Sequence, residues 1–89
     1  MYSRYEVYKN IDTEREYQEM VNNNNEIYNE YHELVMGEAI LAIQVNLGKV
    51  LASWYSDSPK NDYQITMEHI REIAALSVYL GEKYGMPPR

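Results

Sequence analysis

Six apolar residues, Met36, Ile40, Ile43, Leu47, Val50 and Trp54, follow one another at steps of 4, 3, 4, 3 and 4. This pattern restricts the fold more than any other feature of the chain. Those steps keep side chains on one stripe of an α-helix, whereas a strand alternates faces at every residue and would scatter them. Leu34, Leu41, Val45 and Ala52 form a second stripe beside the first. A helix apolar on two sides is central, covered by one neighbour on each side. The spacing therefore predicts a central helix over about 26–55.

The flanking segments are read against that helix. Ser56-Asp57-Ser58-Pro59-Lys60-Asn61-Asp62 is rich in turn and capping residues, and Pro59 disfavours helix at Ser58. Beyond it, a helix over about 62–84 is predicted, with Met67, Ile70, Ile73, Ala74, Leu76, Ser77, Leu80 and Tyr84 as its buried face. Gly85 supplies a left-handed stop, and Pro87-Pro88 cannot continue a helix. A short loop between two long helices predicts antiparallel packing. Ala74, Ser77 and Gly81 on one helix, and Gly48 and Ala52 on the other, are expected to let the two backbones approach closely. Toward the N-terminus, Asp12-Thr13 followed by Glu16 reads as a helix start. The run Asn22–Asn25 favours side-chain to backbone bonding and reads as a break, which leaves a short helix over about 13–21. The expected fold class is all-α: an antiparallel helical hairpin (26–55 and 62–84) with a short N-terminal helix (13–21), one domain over 1–89. At 89 residues the core of such a domain is small, so a homodimeric helical bundle is expected, with residues 1–21 or a second copy on the uncovered side of the central helix.

Charge and aromatic usage bear on function. The formal charge is −6. Residues 1–38 hold nine acids (Glu6, Asp12, Glu14, Glu16, Glu19, Glu26, Glu30, Glu33 and Glu38) against three bases, while residues 39–89 hold five of each. Direct nucleic-acid binding needs a basic footprint and is not expected. With no Cys there is no disulfide framework, and with no apolar signal core or membrane span the expected location is the cytoplasm. The chain has ten Tyr, one Trp and no Phe, and Tyr suits half-wet contact surfaces better than a dry core. Tyr2, Tyr5 and Tyr8 recur at every third residue near the start. The partner-binding surface expected from these features comprises Tyr2, Tyr5, Tyr8, Glu6, Glu14, Glu16 and Glu19.

The chemistry-bearing residues give no complete catalytic set. Glu26, Glu30 and Glu33 share a helical face, and Glu68 and Glu72 stand four apart on the last helix. Carboxylates gathered in this way hold Mg²⁺ in some hydrolases, but solvated faces are the plainer reading. His32 and His69, the only two histidines, lack a second ligand at zinc spacing. No nucleophile elbow or phosphate-cradling glycine loop occurs.

Glu14-Arg15-Glu16-Tyr17-Gln18 resembles the "ERxYQ" start of a group of small helical bacteriophage proteins. His69-Ile70-Arg71-Glu72-Ile73-Ala74-Ala75-Leu76 with Gly85-Met86-Pro87-Pro88-Arg89 resembles the "IRKIAAL…GxPPR" end of the same group. Some members look distantly similar to MazG-like, all-α nucleotide pyrophosphohydrolases. Those enzymes pair an ExxE with an ExxD around Mg²⁺. Here Glu30 and Glu33 fit the first motif, while Glu68 and Glu72 do not make the second. The resemblance implies a phage-encoded, non-enzymatic binding protein that engages and inhibits a host protein such as a defence-system component, with no cofactor. Two alternatives accompany it: a Mg²⁺-dependent pyrophosphohydrolase using Glu30, Glu33, Glu68 and Glu72, and a DNA mimic that occupies a basic nucleic-acid-binding protein.

Overall fold

The computed structural model describes residues 1–24, 35–55 and 62–89, and it is helical throughout these segments apart from caps and ends. Three α-helices occur in order: α1 (Arg4–Asn24), α2 (Met36–Trp54) and α3 (Tyr63–Tyr84). The predicted loop over 56–61 and the predicted first turns of the central helix, over 26–34, lie outside the described residues; the predicted continuous helix over 26–55 is corrected at Val35, whose extended backbone (φ −82°, ψ 167°) caps a helix that starts at Met36.

The first helix is longer than its sequence reading. It begins at Arg4 rather than Thr13 and runs to Asn24. Its start is capped by Ser3, whose Oγ accepts from the Glu6 N–H at 3.1 Å. Ser3-x-x-Glu6 has the same capping-box form as Thr13-x-x-Glu16, so the sequence offers two starts. The earlier one is used because no Gly or Pro interrupts residues 4–24. Thr13 therefore sits inside the helix, where its hydroxyl donates to the Lys9 carbonyl one turn back at 3.0 Å.

The other helix ends are satisfied by named partners. At the start of α2, the Glu38 carboxylate lies 3.5 Å from the Val35 N–H, and the Met36 N–H donates to the Tyr84 hydroxyl at 3.0 Å. A side chain at the end of α3 thus takes up a donor that α2 cannot satisfy internally. Asp62 caps α3 by accepting from Ile65 N–H at 2.9 Å. Gly85 closes α3 with its N–H on the Gly81 carbonyl at 2.9 Å. Its φ of 89° and ψ of 141° differ from the predicted left-handed helical stop and fall in a region open essentially to glycine alone.

The arrangement of the helices departs from the sequence reading. The central helix is α3, not α2: α3 packs against both α1 and α2, and among the described residues α1 and α2 make no contact with each other. The α2–α3 seam pairs opposite ends, with Met36 at Tyr84, Ser53 at Thr66 (2.7 Å between hydroxyls), and Trp54 edge-on to Tyr63 at 4.9 Å. Ala39 is fully buried, and Ala42, Ile43, Asn46, Val50, Ser53 and Trp54 are half-buried. This face is rotated away from the predicted stripe, whose members Met36, Ile40 and Leu47 are exposed. Small side chains explain the rotation. Ala39 and Ser53 let α2 come close to α3, and a closely approaching pair buries the residues flanking its smallest members.

The second stripe of α2 is left uncovered, with Leu41 and Val45 each 60% exposed. Gly48 does not approach α3, because a Cβ built there would meet nothing within 4 Å. Gly81 is also not a close-approach point between helices; the Met86 side chain folds over it, with Cε 3.2 Å from the position of a Cβ. On α3, the predicted core residue Met67 is 56% exposed, whereas Thr66 and Ala75, absent from the predicted set, are buried.

α1 is held to α3 largely by polar groups. Arg71 Nε lies 2.8 Å from the Glu14 carboxylate, and Arg15 Nε lies 3.0 Å from Glu82 while its guanidinium stands 5.0 Å over the Tyr79 ring. Gln18 donates to the Glu72 carbonyl at 3.4 Å. Fully buried Ala75 sits on this side of α3, where a small residue lets these groups reach across.

Among the described residues, only Ala39, Ala75 and Leu76 are buried apolar residues. Ala75→Leu is expected to destabilise the fold by about 1–3 kcal/mol through overpacking, while Met67→Ala changes it by less than about 0.5 kcal/mol; urea unfolding followed by circular dichroism compares the two. A double-mutant cycle of Glu14→Ala and Arg71→Ala is expected to give a coupling of about 0.5–1 kcal/mol that shrinks in high salt, since Arg71 is partly solvated. A coupling that salt leaves unchanged would assign the contact to packing instead.

Candidate interaction surface

α1 has a face docked on α3 and an exposed flank beside it. Ile11, Glu14, Arg15 and Gln18 turn toward α3 and are half-buried or less exposed. The remaining side is open to solvent, and on it Tyr5, Tyr8, Asp12, Glu16 and Glu19 follow at steps of 3, 4, 4 and 3. At about 100° per residue these five share one stripe, about 21 Å long from Tyr5 to Glu19. All five are exposed. The stripe begins aromatic and ends acidic, with two phenols in the first turns and three carboxylates in the following ones.

The predicted surface residues divide between this stripe and other places. Tyr5, Tyr8, Glu16 and Glu19 belong to it, and Tyr2 precedes the helix as an exposed residue. Glu6 is exposed but points about 100° away from the stripe, given two residues' rotation from Tyr8 and one from Tyr5. Glu14 is not available to a partner in the same way. Its side chain is only 10% exposed and its carboxylate is held by Arg71. Asp12 joins the stripe although the sequence reading used it as a helix cap; a helix starting at Arg4 carries it through as a surface residue. The signal that would have found it is the Ser3-x-x-Glu6 cap, which extends the helical register back past Asp12.

The alternative metal set is not assembled among the described residues. Glu30 and Glu33 lie outside them. Glu68 and Glu72 lie on the side of α3 that faces α1, and no group of three or more acidic, His or Cys side chains positioned for a metal ion occurs among the described residues. His69 Nδ1 stands 3.5 Å from the Glu72 carboxylate without the alignment of a hydrogen bond. His32 lies outside the described residues. No described helix is long and apolar enough to cross a membrane.

The chemistry of the stripe is that of a contact surface. Phenol rings supply flat contact area with few rotatable bonds, and the hydroxyl retains a hydrogen bond at a half-wet boundary. Carboxylates one turn apart repel one another and so favour a cationic surface opposite them. Comparison of the chain with protein-family models, with curated proteins and with solved structures finds no match in any of the three.

Proposed function

We propose that this chain is a non-catalytic protein-binding module. In this reading α2 and α3 form an antiparallel hairpin, two copies associate as a homodimer, and α1 presents its Tyr and acid stripe to a partner protein whose surface is basic with an apolar patch beside it. The observation that carries the reading is the placement of Tyr5, Tyr8, Asp12, Glu16 and Glu19 on one exposed flank of α1, about 110° round the helix from the residues that dock α1 to α3. The helix is attached by Glu14 and Arg15, which are not members of the stripe. In the setting that the sequence resemblance implies, a bacteriophage protein in the host cytoplasm, the partner is a host protein that the contact inhibits.

The division of the stripe supports a division of labour. Exposed carboxylates steer encounter with a basic surface and act over roughly a Debye length, about 8–10 Å at ordinary salt. The aromatic residues act at contact and hold the complex together, as buried Tyr does at binding hot spots.

Capture from host lysate on the immobilised chain tests the proposal, with Tyr5→Ala/Tyr8→Ala and Asp12→Asn/Glu16→Gln/Glu19→Gln as paired variants. A retained protein should dissociate at least about tenfold faster from the Tyr variant. The acid variant should lower the association rate and flatten its salt dependence. Both variants should keep the wild-type helicity. If the acid variant abolishes binding while the Tyr variant leaves it intact, the DNA-mimic reading replaces this one. Equal retention by all three proteins would overturn both.

A further inference from the structure

The outer side of α2 has almost no charge. Met36, Gly37, Ile40, Leu41, Gln44, Val45, Leu47, Gly48, Leu51 and Ala52 are all exposed, and the only charged residues of this helix, Glu38 and Lys49, stand together at one flank of that side. They are eleven residues apart, which at about 100° per residue returns to within about 20° of the same direction. Exposed apolar surface of this extent on a soluble chain marks a contact site.

We infer that the occupant of this surface is the α2 helix of a second copy, packed antiparallel across a two-fold axis that passes between Gln44 and Val45. This rests on the homodimer reading above and assigns its interface. The residue order along the outer side is self-complementary about that point. Leu41 and Gly48 are equidistant from it, as are Gly37 and Ala52. Antiparallel pairing therefore sets each Leu41 over the partner's Gly48, large against small, and each Gly37 beside the partner's Ala52, two small residues that let the helix ends approach closely. Gly48 has no neighbour within 4 Å of a Cβ in the single chain. A glycine inside a helix is unfavourable relative to alanine, and a Leu side chain from a second copy supplies the neighbour that makes its smallness useful.

Charge agrees with the same geometry. A two-fold axis perpendicular to two antiparallel helices brings like flanks to the same side of the pair. Glu38 of each copy then lies next to the partner's Lys49, about two residues or 3 Å out of level along the helix, which the length of a Lys side chain spans. A parallel pair would put these flanks on opposite sides, where neither charge meets a partner. Gln44, beside the axis, is the one polar side chain at the centre, and an amide both donates and accepts and so can pair with its own copy.

Sedimentation equilibrium and native mass spectrometry of the full chain, with three variants, test the assignment. Wild type is expected to be a dimer. Gly48→Leu fills the space under the partner's Leu41 and should raise the dimer dissociation constant about tenfold or more, although Leu is the better helix former. Lys49→Glu places like charges together and should weaken the dimer, and the exchange Glu38→Lys/Lys49→Glu should restore it. Restoration supports antiparallel pairing, because no structural effect of either single change predicts it. Failure of the exchange to restore a dimer weakened by Lys49→Glu, with helicity retained, would overturn the antiparallel register. A wild-type dimer that neither Gly48→Leu nor Lys49→Glu weakens would overturn the α2 interface and leave the homodimer reading standing. A monomeric wild type at concentrations of about 100 μM, well above ordinary dimer dissociation constants, would overturn both.

Discussion

The structure depends on α3 being gripped on two sides by unlike means. Toward α2 it offers small groups that allow a close approach: Thr66 is buried against Ser53, and fully buried Ala39 comes from the opposite helix. Toward α1 it offers Arg71, Tyr79 and Glu82, which hold Glu14 and Arg15. Hydrogen-bonded ion pairs at a partly solvated seam fix geometry more than they add stability. α1 is consequently oriented by its attachments, with little apolar burial behind it. The same two-sided grip leaves α1 and α2 on separate flanks, so each keeps one face turned away from α3.

Those two free faces differ in the way that two different tasks would require. The face on α1 is aromatic and acidic, suited to a partner that associates and leaves. The face on α2 is apolar and nearly uncharged, suited to a lasting contact, because removing it from water is favourable at about 25 cal/mol per Å² and nothing polar needs compensation apart from Gln44. In the proposed dimer the α2 helices form the middle and the α1 helices lie outward, so two identical stripes are displayed by one particle. A partner with repeated or symmetric sites would then be held by both at once, with the gain that linked binding confers.

Much of the helical content was legible in the residues alone. The start of α3 at Asp62, its end at Gly85 and the end of α2 near Trp54 follow from capping chemistry and turn residues that act within a few positions of themselves. The errors are of one kind. Ser3-x-x-Glu6 and Thr13-x-x-Glu16 are equivalent as local caps, and only the uninterrupted helix between them tells which is used. Glu14 looked like a member of an acidic surface because charge is countable from sequence while its pairing with Arg71, fifty-seven positions away, is not. Asp12 was read as a cap for the same local reason and is a surface residue.

By itself the sequence determined that the chain is helical, where α3 lies and where α2 ends, and that α2 is apolar on more than one side, since periodicity and capping are short-range properties. Tertiary structure decided which helix is central. Periodicity ranks helices by how much apolar surface they carry, and by that measure α2 belongs in the middle. Position in the fold is decided instead by how closely backbones can approach and by which side chains can reach one another. On those grounds α3, with Ala75 on one side and Thr66 on the other, accommodates two neighbours, and the more apolar α2 is left with an open face.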